Sequence, residues 1–274
     1  MLENKNIALP YMGSKRRLAP WIVDYIKEQH PEAKHFYDLF GGGGAISFYA
    51  MNHFKKVHYN ELNTGVCELL KRLQTKGVTK KMYKWVSREQ FHKHKDDPTW
   101  YGGYVALCWS FGNNGNGYLY SKANEELKKP LHKKIVKGTP LKDIQAKRLV
   151  VKIEYKKHGR MDIQHLERVQ NLEHVQNIGT LDITNLSYEE VKVKGNSVIY
   201  LDPPYANTAK YKHSISHDDL LAWIKEQKVP VYLSSYEFDG LECVGERGHR
   251  SSLSAIAKNK VTEKLFRWLP DARK

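Results

Sequence analysis

The sequence predicts an α/β fold, with a doubly wound parallel sheet into which a mostly helical segment is inserted. Three observations support this prediction. Short apolar runs alternate with helical patterns up to about residue 70, the alternation resumes near residue 161, and a lysine-rich stretch separates the two parts. Strands that alternate with helices are typical of parallel sheets. We therefore expect residues 1–70 and 161–274 to form one domain and residues 71–160 a second one.

The first part of the chain carries a helix, a strand and a glycine run in succession. Residues 16–29 place apolar side chains at helical spacing, and residues 35–40 read as a strand that runs directly into Gly41 to Gly44. Four glycines allow a ligand to approach the backbone closely. The run lacks the spacing of dinucleotide-binding and phosphate-binding loops, so these ligand classes are not indicated.

A second predicted strand, residues 56–59, ends just before Glu61. An acidic side chain after the second strand of a βαβ unit can accept hydrogen bonds from both hydroxyls of a ribose. Together with Gly42 and Gly44, Glu61 therefore indicates an adenosine-type ligand without a phosphate. The alternative, which stays open, is that Glu61 only complements the N-terminus of the following helix.

The most distinctive stretch is a short apolar strand, residues 198–201, that stops at Asp202-Pro203-Pro204-Tyr205. Neither proline can donate a backbone hydrogen bond, so the loop beyond the strand is stiff. It offers a carboxylate acceptor, the carbonyl of Pro203 and the flat ring of Tyr205, a set that suits a planar ring bearing an amino group. An ordinary proline turn is the alternative.

Further strands are predicted at residues 175–181, ending in Asp182, and at residues 229–234, with helices at 161–171 and 218–227. In a doubly wound sheet the carboxyl ends of the strands meet at one edge, where ligands bind. We therefore expect four strand-end acids to gather there: Asp38, Glu61, Asp182 and Asp202.

The net charge of +15 arises from 45 Lys and Arg against 30 Asp and Glu, and it is not spread evenly. Residues 71–160 hold 22 basic and 7 acidic side chains, whereas the rest of the chain holds 23 of each. A segregated basic block is typical of a protein that binds a polyanion, and it indicates nucleic acid as the partner. The alternative is a helical cap whose lysines are merely solvated.

Within this block, residues 110–120 combine glycines and asparagines with aromatic residues and must form a loop. Asparagine side chains can pair with adenine edges, and aromatic rings can stack on bases or wedge between them. A lysine-rich helical stretch follows from residue 122. The candidate DNA-contact residues are Ser110, Asn113, Asn114, Asn116, Tyr118, Lys122, Lys133 and Lys134.

Several classes of protein are not indicated. The three cysteines, Cys67, Cys108 and Cys243, are scattered and form neither a disulfide framework nor a zinc spacing. No apolar run approaches the length needed to span a bilayer, and the N-terminus lacks a secretory pattern. We expect a cytoplasmic protein that keeps its cysteines reduced and uses no metal.

The motifs occur in an order that resembles the Dam-type (class alpha) DNA adenine-N6 methyltransferases. Glu61 stands where that family usually has Asp, and the Arg expected after residues 110–120 is missing. A basic insert lies between the acidic motif and Asp-Pro-Pro-Tyr, as in the alpha arrangement. The similar stretches are residues 10–15, 38–44, 60–63, 201–205 and 211–220.

The resemblance implies a Rossmann-like S-adenosylmethionine-dependent methyltransferase sheet with an inserted DNA-recognition domain. It implies methyl transfer to the amino group of an adenine flipped out of double-stranded DNA. Lys15 is expected at the cofactor carboxylate, Glu61 at the ribose and Asp182 at the cofactor adenine. The implied catalytic residues are Asp202, Pro203, Pro204 and Tyr205, and the implied cofactor-binding residues are Tyr11, Lys15, Asp38, Phe40, Gly42, Gly44, Glu61, Asp182 and Asp202.

The resemblance further implies a bacterial or phage-encoded monomer, with double-stranded DNA as its partner, no membrane partner and a cognate restriction endonuclease as a candidate partner. Methylation of cytosine N4 or of RNA stays open, since Asp-Pro-Pro-Tyr also serves other amino groups. A non-catalytic DNA-binding protein on a methyltransferase fold is the alternative from another class. Methylation of cytosine carbon is not indicated, because none of the cysteines follows a proline.

Overall fold

The computed structural model describes residues 7–136, 164–175, 178–204, 215–250 and 260–270 of the chain. Its strands are β1 (His35–Asp38), β2 (Lys56–Asn60), β3 (Asp182–Thr184), β4 (Ser197–Leu201), β5 (Val231–Ser235), β6 (Glu242–Arg250) and β7 (Lys260–Trp268). Its α-helices are α1 (Ala19–Gln29), α2 (Ala45–Ala50), α3 (Thr64–Lys76), α4 (Arg88–His94), α5 (Trp100–Cys108), α6 (Lys122–Val136), α7 (Gln164–Glu173) and α8 (His217–Glu226). Short 3-10 helices occur at Lys80–Tyr83, Phe111–Asn113 and Tyr188–Glu190.

The chain divides into two compact units. The first contains Gly13–Leu62 and Thr180–Lys274, and the second contains Ile7–Met12 and Asn63–Gly179. All of α3 and α7 therefore belongs to the second unit, whereas the sequence assigned α7 and part of α3 to the first domain. The functional division into a catalytic and a DNA-binding domain stays a prediction.

The first unit is built on a sheet whose described strands follow the order β3-β2-β1-β4-β5-β7-β6. Neighbours from β3 to β5 pair in parallel, whereas β7 pairs antiparallel with both β5 and β6. The chain moves from β1 to β2 on one side of β1, and later to β4 on the other side. This reversal is the mark of a doubly wound sheet and opens a crevice at the carboxyl ends of β1 and β4. The predicted fold class is confirmed.

The central strands are buried along their whole length, as a sheet covered on both faces requires. Every position of β4 and of β5 is buried. Helix α1 buries one face at helical spacing and carries its proline in the first turn, where the missing N–H breaks no hydrogen bond. The buried face of α1 consists of Ala19, Ile22, Val23 and Ile26.

The third strand lies later in the chain than the sequence predicts. The N–H of Val175 donates to the carbonyl of Leu172, so Val175 closes a turn directly after α7 and is not part of a strand. Val175, Ile178 and Leu181 are buried by tertiary packing. The prediction of a strand at 175–181 is therefore wrong, because a buried turn produced an apolar pattern like that of a strand. The strands β6 and β7 were not predicted.

The regular structure in the described part of the second unit is helical, apart from one narrow hairpin. Helices α3 and α5 approach closely at Gly65 and Gly103, since a Cβ on Gly103 would overlap the carbonyl of Gly65. After α5, Ser110 and Tyr118 pair as an isolated antiparallel bridge. The mostly helical character expected of the insert is observed in this part.

Within the described residues, no helix combines the length and the apolar composition needed to cross a bilayer. The same residues contain no group of three or more His, Cys, Asp or Glu side chains arranged to hold a metal ion.

Candidate active site

The carboxyl ends of β1, β2 and β4 lie side by side where the strand order reverses. Asp38 of β1 pairs in register with Tyr59 of β2 and with Tyr200 of β4. Glu61 and Asp202 each follow two residues beyond those tyrosines, so they stand at the same level of the sheet edge. The strand register thus brings predicted site residues to the position where doubly wound sheets bind ligands.

The glycine run after β1 forms a turn against Glu61. The N–H of Gly42 donates to Oε2 of Glu61 at 2.9 Å, and the hydroxyl of Tyr59 donates to the carbonyl of Gly42 at 2.7 Å. Gly41 must be glycine because a Cβ there would overlap the Tyr59 ring. Gly44 has a φ of +78°, a backbone angle that residues with a side chain rarely adopt. The turn is therefore fixed by β2 and holds the carboxylate of Glu61 at the edge.

Asp38 is a buried carboxylate with only one oxygen engaged. Its Oδ2 accepts a 2.7 Å hydrogen bond from the hydroxyl of Ser47, whereas Oδ1 has no hydrogen-bond partner in the described part of the chain. Burial raises the pKa of Asp38 to about 7; the Ser47 hydrogen bond opposes this rise, and the charges of Asp202 and Glu61 add to it. An unengaged buried acceptor suits a cationic group of a ligand.

Asp202 directly follows β4, and 20% of its side-chain surface is exposed. The hydroxyl of Ser234 in β5 donates to its Oδ1 at 3.3 Å, and Ser234 is itself 2.6 Å from the hydroxyl of Tyr200. Burial raises the pKa of Asp202 to about 6, although the ammonium of Lys15 acts in the opposite direction. Asp202 is therefore ionised at neutral pH, yet it accepts a proton more readily than an ordinary aspartate.

Lys15, just ahead of α1, places its ammonium between two carboxylates. Its Nζ lies 3.2 Å from Oδ1 of Asp202 and 3.0 Å from Oε1 of Glu263 in β7. Burial acts to lower the pKa of Lys15, but the two carboxylates outweigh it and raise that pKa. This geometry lends no support to the expected pairing of Lys15 with the cofactor carboxylate. Glu263, which is fully buried, is a site residue that the sequence did not reveal.

Asp182 lies away from the carboxyl edge. It begins β3 instead of ending a strand, and it pairs in register with His58, two residues before the end of β2. Its Oδ2 is 2.8 Å from Nδ1 of His58, whose Nε2 is 2.9 Å from Nδ1 of His35. The strand-end position predicted for Asp182 is wrong, because the strand starts at this residue.

Two asparagines join the loops after β2 and β3 at the edge. The Nδ2 of Asn60 donates to the carbonyl of Leu186 at 3.0 Å, and that of Asn185 donates to the carbonyls of Glu61 and Leu62 at 2.7 and 2.9 Å. The side chains of Leu62 and Leu186 are exposed. Exposed apolar side chains at a ligand-binding edge suit the face of an adenine ring. Neither leucine stood out in the sequence, since its exposure is set by tertiary packing.

The structure treats four other predicted site residues differently. Pro203 and Pro204 follow Asp202 and are partly buried. Tyr205 lies outside the described residues, as do residues 211–214 of the motif that follows it. Tyr11 belongs to the second compact unit.

Of the predicted DNA-contact residues in the hairpin of the second unit, some are buried and others are exposed. Ser110 is fully buried, and the hydroxyl of Tyr118 donates to the carbonyl of Val86 at 2.8 Å. Asn116 is exposed, as is Phe111, with 74% of its surface accessible. The expected direct contact of Ser110 and Tyr118 with DNA is corrected accordingly: these two residues support the hairpin and do not form its surface.

The base of the hairpin is fixed by Arg168 of α7. Its Nη1 donates to the carbonyls of Cys108 and Ser110 at 2.9 and 2.8 Å. Within the loop, Nδ2 of Asn113 donates to the carbonyl of Leu107 at 2.8 Å, and both Asn113 and Asn114 are partly buried. Arg168 lies 58 residues beyond Ser110 in sequence, so the motif around the loop could not reveal it.

The predicted lysines of α6 lie at the surface. Lys122, Lys133 and Lys134 are exposed, whereas Lys128 is buried with its ammonium 5.0 Å from the centre of the Tyr120 ring. A lysine held over an aromatic ring contributes to packing. The exposed lysines are therefore the ones that remain available to a polyanion.

The doubly wound sheet, the glycine turn and the strand-end acids fit one class of protein, the S-adenosylmethionine-dependent methyltransferases. The sequence model of the D12 class N6 adenine-specific DNA methyltransferases matches residues 11–229, and the chain belongs to this family. No curated protein sequence matches the chain.

Three solved structures that resemble the chain are candidate methyltransferases. A candidate RNA methyltransferase from Pyrococcus horikoshii has a TM-score of 0.42 and 10% identity, with 94% of this chain and 87% of that one covered. The candidate methyltransferase YhhF from Escherichia coli has a TM-score of 0.36 and 10% identity, with coverages of 96% and 92%. A candidate methylase from Haemophilus influenzae has a TM-score of 0.31 and 14% identity, with coverages of 95% and 92%. At these TM-scores the likenesses carry no further argument.

The residues at the sheet edge fit S-adenosylmethionine. The unengaged Oδ1 of Asp38 suits the ammonium of its methionine part. The carboxylate of Glu61, held by the glycine turn, suits the ribose hydroxyls, and the exposed Leu62 and Leu186 suit the adenine. Acidic side chains also match the overall positive charge of the sulfonium and ammonium groups.

Proposed function

We propose that this family member is a site-specific DNA adenine-N6 methyltransferase. It would transfer a methyl group from S-adenosylmethionine to the exocyclic amino group of an adenine flipped out of double-stranded DNA. The observation that carries the proposal is the largely buried Asp202, which stands at the crevice of the sheet and is followed by two prolines. The family match supports adenine and DNA as the target.

We assign the cofactor to the edge formed by the ends of β1, β2 and β3. Glu61 would accept hydrogen bonds from the ribose, Asp38 would pair with the ammonium, and Leu62 with Leu186 would flank the adenine. When bound, S-adenosylmethionine supplies a methyl group on a sulfonium whose sulfur leaves as a neutral thioether. The further expected contacts are Tyr11, Phe40, Gly42 and Gly44.

The target amino group would be held by two acceptors. Within the described residues, Lys15 and Ser234 both engage Oδ1 of Asp202, so we assign Oδ2 to one amino hydrogen of the adenine. The carbonyl of Pro203 would accept the other, and Tyr205 would stack on the ring. Two acceptors outside the ring plane favour a more tetrahedral nitrogen, whose lone pair is then available to the methyl carbon. Positioning and electrostatics thus supply most of the catalytic effect.

Asp202 is also suited to take up the proton that the reaction releases. Once methylated, the amino nitrogen of the target would carry a positive charge and would have to lose a proton. Burial raises the pKa of Asp202 to about 6, so its carboxylate is a better base than an exposed aspartate while still ionised at neutral pH.

DNA binding is assigned to the second compact unit. The exposed Phe111 and Asn116 at the hairpin tip would contact bases, and the exposed lysines of α6 would contact phosphates. Flipping the adenine costs roughly a few kcal/mol of stacking and pairing, which contacts of this kind can offset. A monomeric enzyme of the cytoplasm, with or without a cognate restriction endonuclease, stays our expectation.

Product analysis tests the proposal. Purified protein would be incubated with methyl-labelled S-adenosylmethionine and double-stranded DNA, and the digested nucleosides would be separated by mass spectrometry. We expect the label in N6-methyladenine, and long-read sequencing of host DNA after expression should give the sequence context. Label in N4-methylcytosine, or only in added RNA, would change the target. A folded protein that binds DNA and cofactor but transfers no label would be a non-catalytic DNA-binding protein.

A further inference from the structure

We propose that Glu263 is a positioning residue which, through Lys15, holds the carboxylate of Asp202 in place and sets the pH below which methyl transfer fails. This inference rests on the proposed function and adds a residue from the C-terminal strand β7. Glu263 lies outside the stretch matched by the family model, residues 11–229. The role is therefore read from the contacts of this chain alone.

The first support is the geometry of the buried charges. One ammonium, that of Lys15, serves two carboxylates, those of Asp202 and Glu263, at 3.2 and 3.0 Å. Lys15 and Glu263 are buried, and Asp202 is largely so. Burying a charge costs a large desolvation free energy, which only a well-placed partner of opposite charge can offset. Within the described part of the chain, the contact of one buried cation with two carboxylates therefore points to a use beyond stability.

The second support is the rigidity of the place from which Glu263 acts. Glu263 lies within β7, whose next residue, Lys264, pairs in register with Ser235 of β5. Lysine side chains are flexible, so an ammonium with one partner could follow that partner when it moves. A second carboxylate anchors the ammonium, because Glu263 is held in β7 by its pairing with Arg247 of β6. The anchored Lys15 and Ser234 then hold Oδ1 of Asp202 in place. This fixes the orientation of the carboxylate and therefore the direction in which Oδ2 points.

The third support is the effect of each neighbour on the charge of Asp202. Burial raises its pKa most strongly, Lys15 lowers it, and Glu263 raises it again by repulsion. The other groups that face it are the hydroxyl of Ser234, which lowers the pKa, and Asp38, whose own pKa is raised in part by Asp202. Glu263 therefore acts on Asp202 twice, directly by repulsion and indirectly by sharing the ammonium.

The decisive variant is Glu263→Gln. Glutamine keeps the size of the side chain and can still accept a hydrogen bond from Lys15, but it removes the negative charge. The acid limb of the single-turnover methylation rate should then move to lower pH. If the acid limb of the wild type has its midpoint near pH 6, the rate at pH 5 is about a tenth of the plateau rate. At pH 5 the variant should retain a fraction of its own plateau rate that is at least about threefold larger.

Matched variants separate charge from structure. Glu246→Gln removes an exposed carboxylate from the neighbouring strand β6 and should leave the limb unchanged. Glu263→Asp keeps the charge and should keep the limb, with a lower plateau because the side chain is shorter. Lys15→Met should move the limb to higher pH. A purely structural role of Glu263 would lower the rate at every pH without moving the limb, and that result overturns the proposal.

A measurement without substrate keeps this test distinct from the proposed function. The carboxyl carbon of Asp202, observed by ¹³C NMR in the whole protein, should titrate near pH 6 in the wild type and lower in Glu263→Gln. Equal midpoints in the two proteins, or an ordinary aspartate midpoint in the wild type if the variant does not fold, would refute the coupling. Absence of methyl transfer by the wild type would refute the proposed function. The NMR titration would then still test whether Glu263 affects the pKa of Asp202.

Discussion

The two compact units place their charges in opposite ways. In the first unit the ionisable groups Lys15, Asp38, Asp202 and Glu263 are buried or largely buried at one edge of the sheet. In the second unit the lysines of α6 lie at the surface except for Lys128, and the buried polar groups include neutral histidines packed among aromatic rings. His132 and His165 are hydrogen-bonded to each other at 2.7 Å, and His165 also to the hydroxyl of Tyr120 at 2.8 Å.

Under the proposed function, this difference separates the unit that carries the chemistry from the unit that binds DNA. Buried charges are costly and occur together mainly where their interactions tune reactivity, as at the sheet edge. Neutral buried histidines beneath a mostly exposed set of lysines suit a module that attracts a polyanion without reacting with it. In the second unit burial lowers the pKa of His132 to about 4, and it lowers the pKa of His165 well below its ordinary value. The histidines therefore contribute no charge at neutral pH.

The largest expected effect is on chemistry alone. Asp202→Ala should lower the single-turnover methylation rate by at least about 10³-fold, because it removes an acceptor for the target amino group. DNA affinity, measured by fluorescence anisotropy, should change less than about twofold, since the charges that we assign to DNA binding lie elsewhere.

The matched control is Asp24→Ala on the exposed side of α1, which should leave both quantities unchanged. A parallel loss of DNA affinity and methylation in Asp202→Ala would show that the two regions are not separable in this way.

The second effect concerns the buried histidines of the helical unit, which make the stability of the protein depend on pH. Unfolded histidines bind protons near pH 6.5, whereas the folded His132 does so near pH 4, so stability is complete above about pH 6.5 and falls as the pH drops toward 4. The loss should reach about 3 kcal/mol for His132 alone. Denaturant unfolding at several pH values, followed by tryptophan fluorescence, measures it, because Trp109 stacks on His165 at 4.1 Å.

His132→Gln should flatten this pH dependence, whereas His92→Gln, at an exposed position of α4, should leave it intact. If stability did not vary between pH 6.5 and 4, the histidines would already be hydrated in the folded protein.

The third effect tests the ribose assignment. Glu61→Ala should weaken the binding of S-adenosylmethionine by about 10- to 100-fold, which corresponds to the loss of hydrogen bonds to a charged acceptor. Isothermal titration calorimetry measures the dissociation constant. The surface variant Glu68→Ala in α3 serves as the control. An unchanged dissociation constant for Glu61→Ala would remove this residue from the cofactor site.

The smallest effect tests the exposed charges. Replacing both Lys133 and Lys134 by Gln should reduce the slope of log affinity against log salt by about 1 to 2, because each phosphate contact releases a counterion. The same two changes at Lys225 and Lys228 of the first unit should reduce the slope less. Equal reductions would mean that the basic surface of α6 has no special role.

Much of the sheet edge follows from local sequence. The strand before Asp202 and the glycine run after β1 are visible because apolar residues stop abruptly at an acid or at glycines. Glu61 is recognisable from its place after β2, and the register then brings it level with Asp202. Local pattern failed at β3, where a buried turn around Val175 resembled a strand.

The partners of the site residues could not be predicted, because they depend on contacts between distant parts of the chain. Glu263 lies in a strand without clear periodicity, and only the antiparallel pairing of β7 with β5 brings it to Lys15. Arg168 reaches the hairpin from α7. Ser110 was expected at the DNA because of its residue type, whereas its burial is a property of the fold.

The cluster of Lys15, Asp202 and Glu263 can form only late in the synthesis of the chain. Its members span most of the chain, so the ammonium and the two carboxylates cannot meet until residue 263 has left the ribosome. Contacts between such distant residues form late and slow the completion of folding. A nascent chain that already contains the glycine turn and Asp202 would still lack its final charge balance. Methylating competence would therefore arise only when translation of the sheet is nearly complete.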